Sequence, residues 1–437
     1  MATLRGVFKR ILSVSAGAVL GVALTFSAAR VATAWNLWPS RDLSRNSSYL
    51  REVMRLVNEN YVDEKSVAYD ELARSALHGM LESLDAHSEF LEAKDNEEFE
   101  AELTGEFGGV GLQVETRQNR IVVIAALAGT PSERAGVRRG DEIVSIDGKP
   151  LEGSANVEAI ANRLRGKPRT SVQMGVFRPG TKETLSLSLV REIIRIESVR
   201  NVALLDDGIG YVQLTEFSDH TSEQFLQALA QLQDQGAQGL IIDMRNNPGG
   251  LLDAAVAVAE PFFSPGELIV YTRGRKESER EEYRAKNRGE RLSLPLAVLI
   301  NAGSASAAEV VTGALKDTGR AVIVGERSFG KGSVQSVFRL ENGEGMRLTT
   351  ARYYTPGGVS IHEKGITPHV EVVMSPEEDT KLAWQRSRSD LRDPAEFKER
   401  FGFEPVVDRQ LETALAVLRG ARRFTAPVNA SAMTAAR

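Results

Sequence analysis

One stretch of the sequence reads Leu296-Ala297-Val298-Leu299-Ile300-Asn301-Ala302-Gly303-Ser304-Ala305-Ser306-Ala307-Ala308-Glu309. Its first five residues have the length and branching of a buried strand. The small residues that follow predict a tight turn, and a helical pattern then continues through Leu315 and Lys316. The turn therefore presents a hydroxyl at a helix N-terminus, where free backbone N–H groups and the helix dipole favour negative charge.

A candidate base for this hydroxyl is Lys331, which stands 25 residues after Ser306 in Phe329-Gly330-Lys331-Gly332-Ser333-Val334-Gln335. The residues from Lys331 to Phe338 lack a helical period and predict a strand. At a period of two, the side chains of Lys331, Ser333 and Gln335 share one face. We therefore expect Gln335 to lie beside the lysine amine.

A serine becomes a nucleophile when a base removes its proton, and a desolvated lysine can be that base. Burial lowers the pKa of a lysine, so the neutral amine becomes accessible near pH 7. Gln335 could hold the rotamer of Lys331 without adding charge. The spacing alone means little, because a Gly/Ser turn followed by a solvated lysine is its ordinary interpretation.

The region from Ile193 onwards alternates between strand and helix patterns. Ile209 to Leu214 and Leu240 to Arg245 predict strands, and Ser222 to Leu232 predicts a helix between them. This order indicates an α/β fold with at least partly parallel strands. The turn Asn246-Asn247-Pro248-Gly249-Gly250 then precedes another helix, so its amides could face an oxyanion or simply end a strand.

Between Phe107 and about Val190 the pattern is one of short strands with two helices. It begins with a glycine-rich loop, Gly109-Val110-Gly111-Leu112, which leads into an alternating strand. Successive N–H groups of such a loop can bind a terminal carboxylate, and the strand after it can accept a peptide by edge pairing. The alternative for the glycines is a plain tight turn.

These motifs together resemble the carboxy-terminal processing peptidases, also called tail-specific proteases. The resemblance rests on the turn around Ser306 and on Phe329 to Gln335, and it extends from about Arg51 to Gly420. It implies that Ser306 is the nucleophile, Lys331 the general base and Gln335 its positioner. It also implies an oxyanion hole made by the Ala307 amide and one glycine amide, from Gly249 or Gly250. A family serine is replaced by Ala308, which leaves the Ser/Lys pair intact.

The same resemblance implies an α/β peptidase core of the crotonase or ClpP type, with an inserted α+β PDZ domain and helical regions at both ends. We expect the PDZ domain to bind peptides through the loop of residues 109–112. The expected divisions are residues 1–34 (signal peptide or anchor), 45–100 (N-terminal helical region), 104–190 (PDZ domain), 191–375 (peptidase core) and 376–437 (C-terminal helical tail). Within the tail, Leu411, Leu415 and Leu418 predict an amphipathic helix.

The N-terminus predicts export. Arg5, Lys9 and Arg10 precede an uncharged, mostly apolar run from Ile11 to Ala29, which is about as long as a bilayer is thick if it is helical. The basic flank keeps the N-terminus in the cytoplasm and sends the rest across the membrane. Ala32-Thr33-Ala34 is a possible cleavage site, so both a periplasmic protein and one anchored to the inner membrane stay open.

Composition excludes several classes of function. The net charge of -5 offers no basic field for nucleic acid, and the absence of cysteine excludes disulfides and thiolate chemistry. The histidines and carboxylates lack metal-ligand spacing, so we expect neither metal nor cofactor. The dense charge from Arg273 to Arg291 predicts a solvated loop or an exposed helix.

Three rival functions have partial support in the sequence. The run from Gly325 to Gly332 nearly spells a phosphate-binding loop, but Gly332 stands where a hydroxyl should bind Mg²⁺. A histidine-dependent serine protease is disfavoured because the sequence contains no Gly-x-Ser-x-Gly elbow. The third rival is a catalytically idle PDZ adaptor or peptide-binding chaperone. We expect instead an exported serine endopeptidase that acts on peptides with free C-termini, with a homo-oligomer and an activating adaptor as possible partners.

Overall fold

The computed structural model describes residues 40–117, 119–151, 157–286, 291–388, 391 and 393–425. The chain divides into two compact units, Met1–Ala86 and His87–Arg437. The predicted export segment at residues 1–34 lies outside the described residues. Within the described part, no helix is long and apolar enough to span a membrane.

The first unit contains two helices, α1 (Arg41–Asn60) and α2 (Tyr69–Glu82). Ser40 caps α1 by accepting a hydrogen bond from the N–H of Leu43. These helices agree with the predicted N-terminal helical region, and α1 ends at Asn60 because the backbone of Tyr61 is extended. Several large apolar side chains of α1 are exposed: Leu43, Tyr49, Leu50, Val53 and Leu56.

The second unit begins with a short strand and a helix and continues into a small antiparallel domain. Its elements up to residue 195 are β1 (Glu89–Leu91), α3 (Ala93–Thr104), β2 (Glu106–Gly109), β3 (Leu112–Arg117), β4 (Arg120–Ala126), α4 (Pro131–Arg134), β5 (Glu142–Ile146), β6 (Lys149–Pro150), α5 (Val157–Leu164), β7 (Ser171–Arg178), β8 (Glu183–Val190) and β9 (Glu192–Arg195). The sheet order is β3-β4-β5-β7-β8, with β6 on β5, and the β2–β9 ribbon joins this domain to the rest.

The small domain has its own apolar core, in which inward residues of the strands meet those of α5. Val123, Ile146, Met174 and Val176 are almost completely buried there, together with Ile160 of α5. The strands alternate between buried and exposed residues because only one face of the sheet is covered. The predicted pattern of short strands with two helices is confirmed.

The larger part of the unit is built on a six-stranded sheet. The elements of this part are β10 (Val199–Leu205), β11 (Ile209–Leu214), α6 (Thr221–Asp234), β12 (Gly239–Asp243), α7 (Leu252–Ala259), β13 (Leu268–Arg273), β14 (Arg280–Arg284), β15 (Leu296–Ile300), α8 (Ala307–Asp317) and β16 (Val322–Gly325). Two of these strands, β13 and β14, belong to a neighbouring sheet. The order is β10-β11-β12-β15-β16, and a short strand β19 (Val370–Glu371) closes the edge. All pairs except β10–β11 are parallel, which agrees with the predicted α/β pattern.

Both faces of this sheet are buried, so its central strands are continuously apolar. Helices α6, α7 and α8 contribute to the large core on one face. The last helix, α11 (Arg409–Thr425), covers the other face with Ala414 and Leu418. The predicted amphipathic helix is therefore confirmed, and its apolar stripe packs on the chain's own sheet.

A second, antiparallel sheet holds the strands after Lys331. It contains β17 (Ser333–Arg339) and β18 (Gly345–Tyr354), and its order is β1-β18-β13-β14 with β17 also on β18. The prediction of a loop or helix for residues 273–291 is wrong for Arg280–Arg284, which form β14. Pairing with β13 supplies the backbone hydrogen bonds, and the charged side chains stay exposed.

Two further helices complete the C-terminal part, α9 (Pro376–Ser387) and α10 (Pro394–Phe401). Ser375 and Glu378 form a capping box at the start of α9, and Asp393 caps α10. Phe397 is buried between Phe401 and Phe403, and Trp384 of α9 packs on Phe401. This aromatic cluster joins the two helices into one body.

Candidate active site

The turn after β15 places Ser306 at the N-cap of α8 in a strained conformation. Its φ is 52° and its ψ is -114°, a region that residues with a side chain rarely adopt. The side chain is 8% exposed, at the edge where the parallel strands end. The other serine of the turn, Ser304, is fully buried and donates its hydroxyl to the Met244 carbonyl at 2.8 Å. Ser304 is therefore structural, and Ser306 is the accessible hydroxyl.

Glu309, one turn into α8, connects the serine to the lysine. Its fully buried carboxylate accepts the backbone N–H of Ser306 at 2.9 Å and that of Lys331 at 2.8 Å. It also accepts the N–H of Gly330 at 2.7 Å and the hydroxyl of Ser328 at 2.6 Å. Burial raises the pKa of Glu309 above its ordinary value, and the four hydrogen bonds oppose this effect without outweighing it. One side chain thus fixes the backbone of both predicted catalytic residues.

Lys331 lies two residues before β17 and is partly buried. Burial lowers the pKa of its amine, the charge of Arg347 lowers it further, and Glu89 acts in the opposite direction. Arg347 and Glu89 are themselves an ion pair at 2.7 Å. The Lys331 amine makes no hydrogen bond or ion pair with any residue that the structure describes. Such an amine is suited to accept a proton.

Gln335 differs from its predicted arrangement. The strand begins at Ser333, and a bulge interrupts the register with β18 between Val334 and Gln335. The period-two argument therefore does not reach back to Lys331. The side-chain amide of Gln335 donates to the hydroxyl of Ser333 at 2.8 Å and more weakly to that of Thr349 at 3.4 Å.

The Asn-Pro-Gly-Gly turn lies directly against Ser306. Gly249 has a φ of 103°, and a Cβ there would come within 2.7 Å of the Ser306 Cβ and 2.9 Å of the Ala307 nitrogen. Only glycine permits this approach. The Gly249 amide already donates to the Asn247 side chain at 2.9 Å. In the described part of the chain, the amides of Gly250 and Ala307 have no hydrogen-bond partner, so both are available to donate to a bound ligand atom.

A buried ion pair braces this turn from behind. Arg245 and Asp243 are both fully buried and are joined by hydrogen bonds of 2.6–3.2 Å. Burial alone would raise the pKa of Asp243, but the charges of Arg245 and Arg386 outweigh it and lower the value to about 2. Arg245 also binds both carboxylate oxygens of Asp408, at 2.7 and 2.8 Å. The Asn-Pro-Gly-Gly turn is thereby connected to the C-terminal segment.

The predicted peptide-binding loop is shorter than the four residues, 109–112, expected from the sequence. Gly109 is the last residue of β2 and pairs with Glu192, and Leu112 already begins β3, so Val110 and Gly111 alone form the turn. The Val110 side chain is buried in the small domain's core. Gly111 has a φ of 75°, and a Cβ there would lie 2.3 Å from the Thr130 Cβ. The amides of Val110 and Gly111 have no hydrogen-bond partner among the described residues.

Glu309 is the site residue to which the sequence analysis assigned no role. A signal was available, because Ser306-x-x-Glu309 has the spacing of a capping box. That pattern explains the bond to the Ser306 N–H. The bonds to Ser328, Gly330 and Lys331 come from 19 to 22 residues further along the chain, and no local pattern predicts them.

Comparison with known proteins defines the class. Residues 208–372 match Peptidase family S41, and residues 108–189 match the PDZ domain. A carboxy-terminal-processing protease of Bartonella bacilliformis is 38% identical over 364 residues, which cover 80% of this chain and 83% of that protein. A carboxyl-terminal-processing protease of Synechocystis sp. is 38% identical over 344 residues, or 76% and 79% of the two chains. The solved structure of a photosystem II D1 C-terminal processing protease shares 33% identity, covers 74% of this chain and 92% of that chain, and has a TM-score of 0.43.

The protein is therefore a serine-type peptidase with a PDZ domain. It belongs to the carboxy-terminal processing proteases of peptidase family S41. The predicted family is confirmed, as are the mixed α/β fold and the N- and C-terminal helices.

Proposed function

We propose that the protein is an exported endopeptidase that captures substrate C-termini with its PDZ domain and cleaves them by Ser/Lys acyl-enzyme chemistry. The observation that carries this proposal is the Glu309 carboxylate, which binds the N–H groups of both Ser306 and Lys331. A serine and a lysine fixed through one buried anion at the edge of a parallel sheet form a nucleophile and base arrangement.

In the proposed reaction Ser306 attacks the scissile carbonyl while the neutral Lys331 amine takes its proton. The oxyanion receives hydrogen bonds from the amides of Ala307 and Gly250, with Gly249 supplying the close approach beside the nucleophile. Lys331 then returns the proton to the leaving amine, and water hydrolyses the acyl-enzyme. Gln335 serves as a positioner if its amide turns from Ser333 towards the lysine.

Substrate capture is proposed at the start of β3. The unpartnered amides of Val110 and Gly111 would bind a terminal carboxylate, and the edge of β3 would pair with the peptide backbone. Gly109 and Leu112 flank this loop as the ends of the two strands. The acidic overall charge gives no reason to expect nucleic acid as a ligand.

The remaining proposals concern architecture and location. The core is proposed to have a crotonase or ClpP-like fold. The proposed regions are residues 1–34, 45–100, 104–190, 191–375 and 376–437. Export to the periplasm, with or without an anchor, rests on the apolar run of residues 11–29. For a homo-oligomer, the exposed apolar residues of α1 are the better candidate, because the apolar face of α11 is used within the chain. An activating adaptor stays a proposal.

The test is cleavage of unfolded peptides that differ only in a free or amidated C-terminus. We expect the free acids to have a KM lower by about tenfold to a hundredfold, since a charge-assisted hydrogen bond contributes roughly 1.5–3 kcal/mol. Ser306→Ala should bind the free acids and cleave none of them.

Two results would contradict the proposal separately. Equal KM values for acid and amide would remove tail recognition and leave the chemistry standing. Binding of free acids with no cleavage by the wild type would favour the idle adaptor. Gly111→Val is unsuitable as a probe because its Cβ would collide with Thr130 and disturb the whole domain.

A further inference from the structure

Two separate turns meet to form the proposed oxyanion hole. The Gly250 amide belongs to the turn after β12, and the Ala307 amide follows the turn after β15. Among the residues that the structure describes, neither amide has a hydrogen-bond partner. An oxyanion is bound well only when each donor lies about 2.7–3.1 Å from it. The distance between the two turns must therefore be fixed closely.

Two hydrogen bonds join the chain around these turns. The Ala305 N–H donates to the Asn247 carbonyl at 2.9 Å, and the Ser304 hydroxyl donates to the Met244 carbonyl at 2.8 Å. Neither bond involves Asn246, which bends the chain into the Asn-Pro-Gly-Gly turn with a φ of 58°. A Cβ at Gly303 would come within 2.6 Å of Asn246 Oδ1, so the two turns also touch at this residue.

The side chain of Asn301, the first residue after β15, binds Asn246 from the other turn. Asn301 is 3% exposed, and its Oδ1 accepts the Asn246 N–H at 2.8 Å and the Gly303 N–H at 3.1 Å. Its Nδ2 donates to Asn246 Oδ1 at 2.8 Å and to Asp379 Oδ1 of α9 at 3.2 Å. An asparagine amide has two donor hydrogens and two acceptor positions, so each of the four has a partner.

These partners require an amide at position 301. Its oxygen faces two backbone N–H groups and its nitrogen faces two acceptor oxygens, so only one orientation of the amide satisfies them. An aspartate would turn its second oxygen towards Asn246 Oδ1 and the Asp379 carboxylate, where it would be repelled. Asn301 therefore connects the start of the Asn-Pro-Gly-Gly turn to the turn that carries Ser306.

We propose that Asn301 is a positioning residue that sets the separation of the Gly250 and Ala307 amides and thereby the strength of the oxyanion hole. It acts through the backbone of Asn246 and of its own turn, and not by contact with the substrate. The proposal rests on the proposed function and adds a residue to its transition-state binding. Because the oxyanion forms during the reaction and is absent from the bound substrate, loss of Asn301 should lower kcat and leave KM nearly unchanged.

The experiment measures cleavage of a fluorogenic free-acid peptide by the full chain. We expect Asn301→Asp to lower kcat by about tenfold to a hundredfold and to change KM by less than about twofold, since a misplacement of about 1 Å can cost about a hundredfold in rate. The double variant Asn301→Asp, Asp379→Asn should recover most of kcat. In it the new amide at position 379 donates to the carboxylate at position 301, and the exposed Asn246 side chain can turn its own amide towards the same carboxylate.

The matched control is Asn201→Asp. Asn201 lies in β10 of the same sheet, and its Nδ2 also donates two hydrogen bonds, to Gln213 Oε1 at 2.6 Å and to the Arg386 carbonyl at 3.1 Å. The substitution adds the same charge and removes the same donors without touching either turn. It should keep the kcat and KM of the wild type, and thermal midpoints show whether each variant has folded. An equal fall of kcat in Asn201→Asp would overturn the proposal, because the effect would not be specific to the turns.

Three further results would overturn it. A kcat near the wild-type value in Asn301→Asp would show that the turns keep their separation without this amide. A raised KM at unchanged kcat would place Asn301 in substrate binding. A folded double variant that is as slow as Asn301→Asp would show that kcat does not depend on this hydrogen-bond pattern. A wild type that cleaves no peptide is a different result, since it would refute the proposed function and this inference with it.

Discussion

Ser306 holds a backbone conformation that lowers the stability of the folded protein. A non-glycine residue at a φ of 52° and a ψ of -114° is strained, by about 1–3 kcal/mol. We predict that Ser306→Gly relieves this strain and raises the free energy of unfolding by about 1 kcal/mol, since glycine's greater freedom in the unfolded chain offsets part of the gain. Chemical denaturation measures the change.

The control for this prediction is Ser306→Ala, which keeps the strain and should leave the unfolding free energy within about 0.5 kcal/mol. Both variants should have lost peptide cleavage. Ser304→Ala should instead lower stability, because it removes a buried hydroxyl bonded to the Met244 carbonyl. If cleavage survives in Ser306→Ala and disappears in Ser304→Ala, the assignment of Ser306 as the nucleophile is wrong.

The surroundings of Lys331 lead to a prediction about how the cleavage rate depends on pH. Burial and Arg347 lower the pKa of its amine, so the neutral form appears below the ordinary lysine range. The rate of cleavage should rise with pH as the amine loses its proton. Lys331→Arg keeps the positive charge but cannot release a proton near neutral pH, so it should be as inactive as Lys331→Ala.

A pH–rate profile of the wild type measures the rise. Arg347→Gln removes a positive neighbour and should move the rise to higher pH, whereas Glu89→Gln should move it lower. Appreciable turnover by Lys331→Arg, or a rate that falls as pH rises through this range, would remove the lysine from the role of base.

At the scale of elements, α8 and the loop before β17 are joined by Glu309. The Glu309 carboxylate accepts four hydrogen bonds. Glu309→Gln replaces one of its two oxygens by an NH₂ group, which cannot accept a hydrogen bond. We predict that kcat falls by at least about tenfold with little change in KM, because both Ser306 and Lys331 lose a backbone anchor. Steady-state kinetics on a peptide substrate measure the two constants.

Thr312→Val is the matched control on the same helix. Thr312 is also fully buried, and its hydroxyl donates to the Ala308 carbonyl, one turn earlier in the same helix. It should therefore change stability slightly and kcat hardly at all. An equal loss of kcat in both variants would mean that any disturbance of α8 is enough, and that Glu309 has no special part.

Elements with a strong period could be predicted from the sequence, and contacts between distant elements could not. The strand, turn and helix from Leu296 to Asp317 follow from local patterns, and the structure confirms them. The clamp by Glu309 depends on donors far along the chain. The strand β14 is charged throughout, so its residues resemble a loop until β13 supplies the pairing. The bulge before Gln335 is likewise set by β18.

For the whole molecule, the sheet needs α11 to complete its second face. Leu418 is 1% exposed and packs against strands of the six-stranded sheet. We predict that Leu418→Ala lowers the free energy of unfolding by about 2–5 kcal/mol, as buried leucine truncations do. Glu412→Ala, on the exposed side of the same helix, should change it by less than about 0.5 kcal/mol.

Denaturant titration of both variants checks this prediction. Similar small changes in the two would mean that α11 is only loosely attached to the sheet. The apolar stripe of this helix was readable from Leu411, Leu415 and Leu418, but the sequence did not say what it covers. An amphipathic helix has the same pattern whether it packs on its own chain or on another copy.

The ion pair between Arg245 and Asp408 has a consequence for the order in which the molecule is made. Ser306 and Lys331 leave the ribosome before Asp408, which is about 100 residues later than Ser306. A growing chain therefore contains Ser306 and Lys331 before it contains Asp408, which braces the Asn-Pro-Gly-Gly turn through Arg245, or the helix that covers the sheet. The Asn-Pro-Gly-Gly turn can therefore acquire its ion pair with the C-terminal segment only after residue 408 has been synthesised.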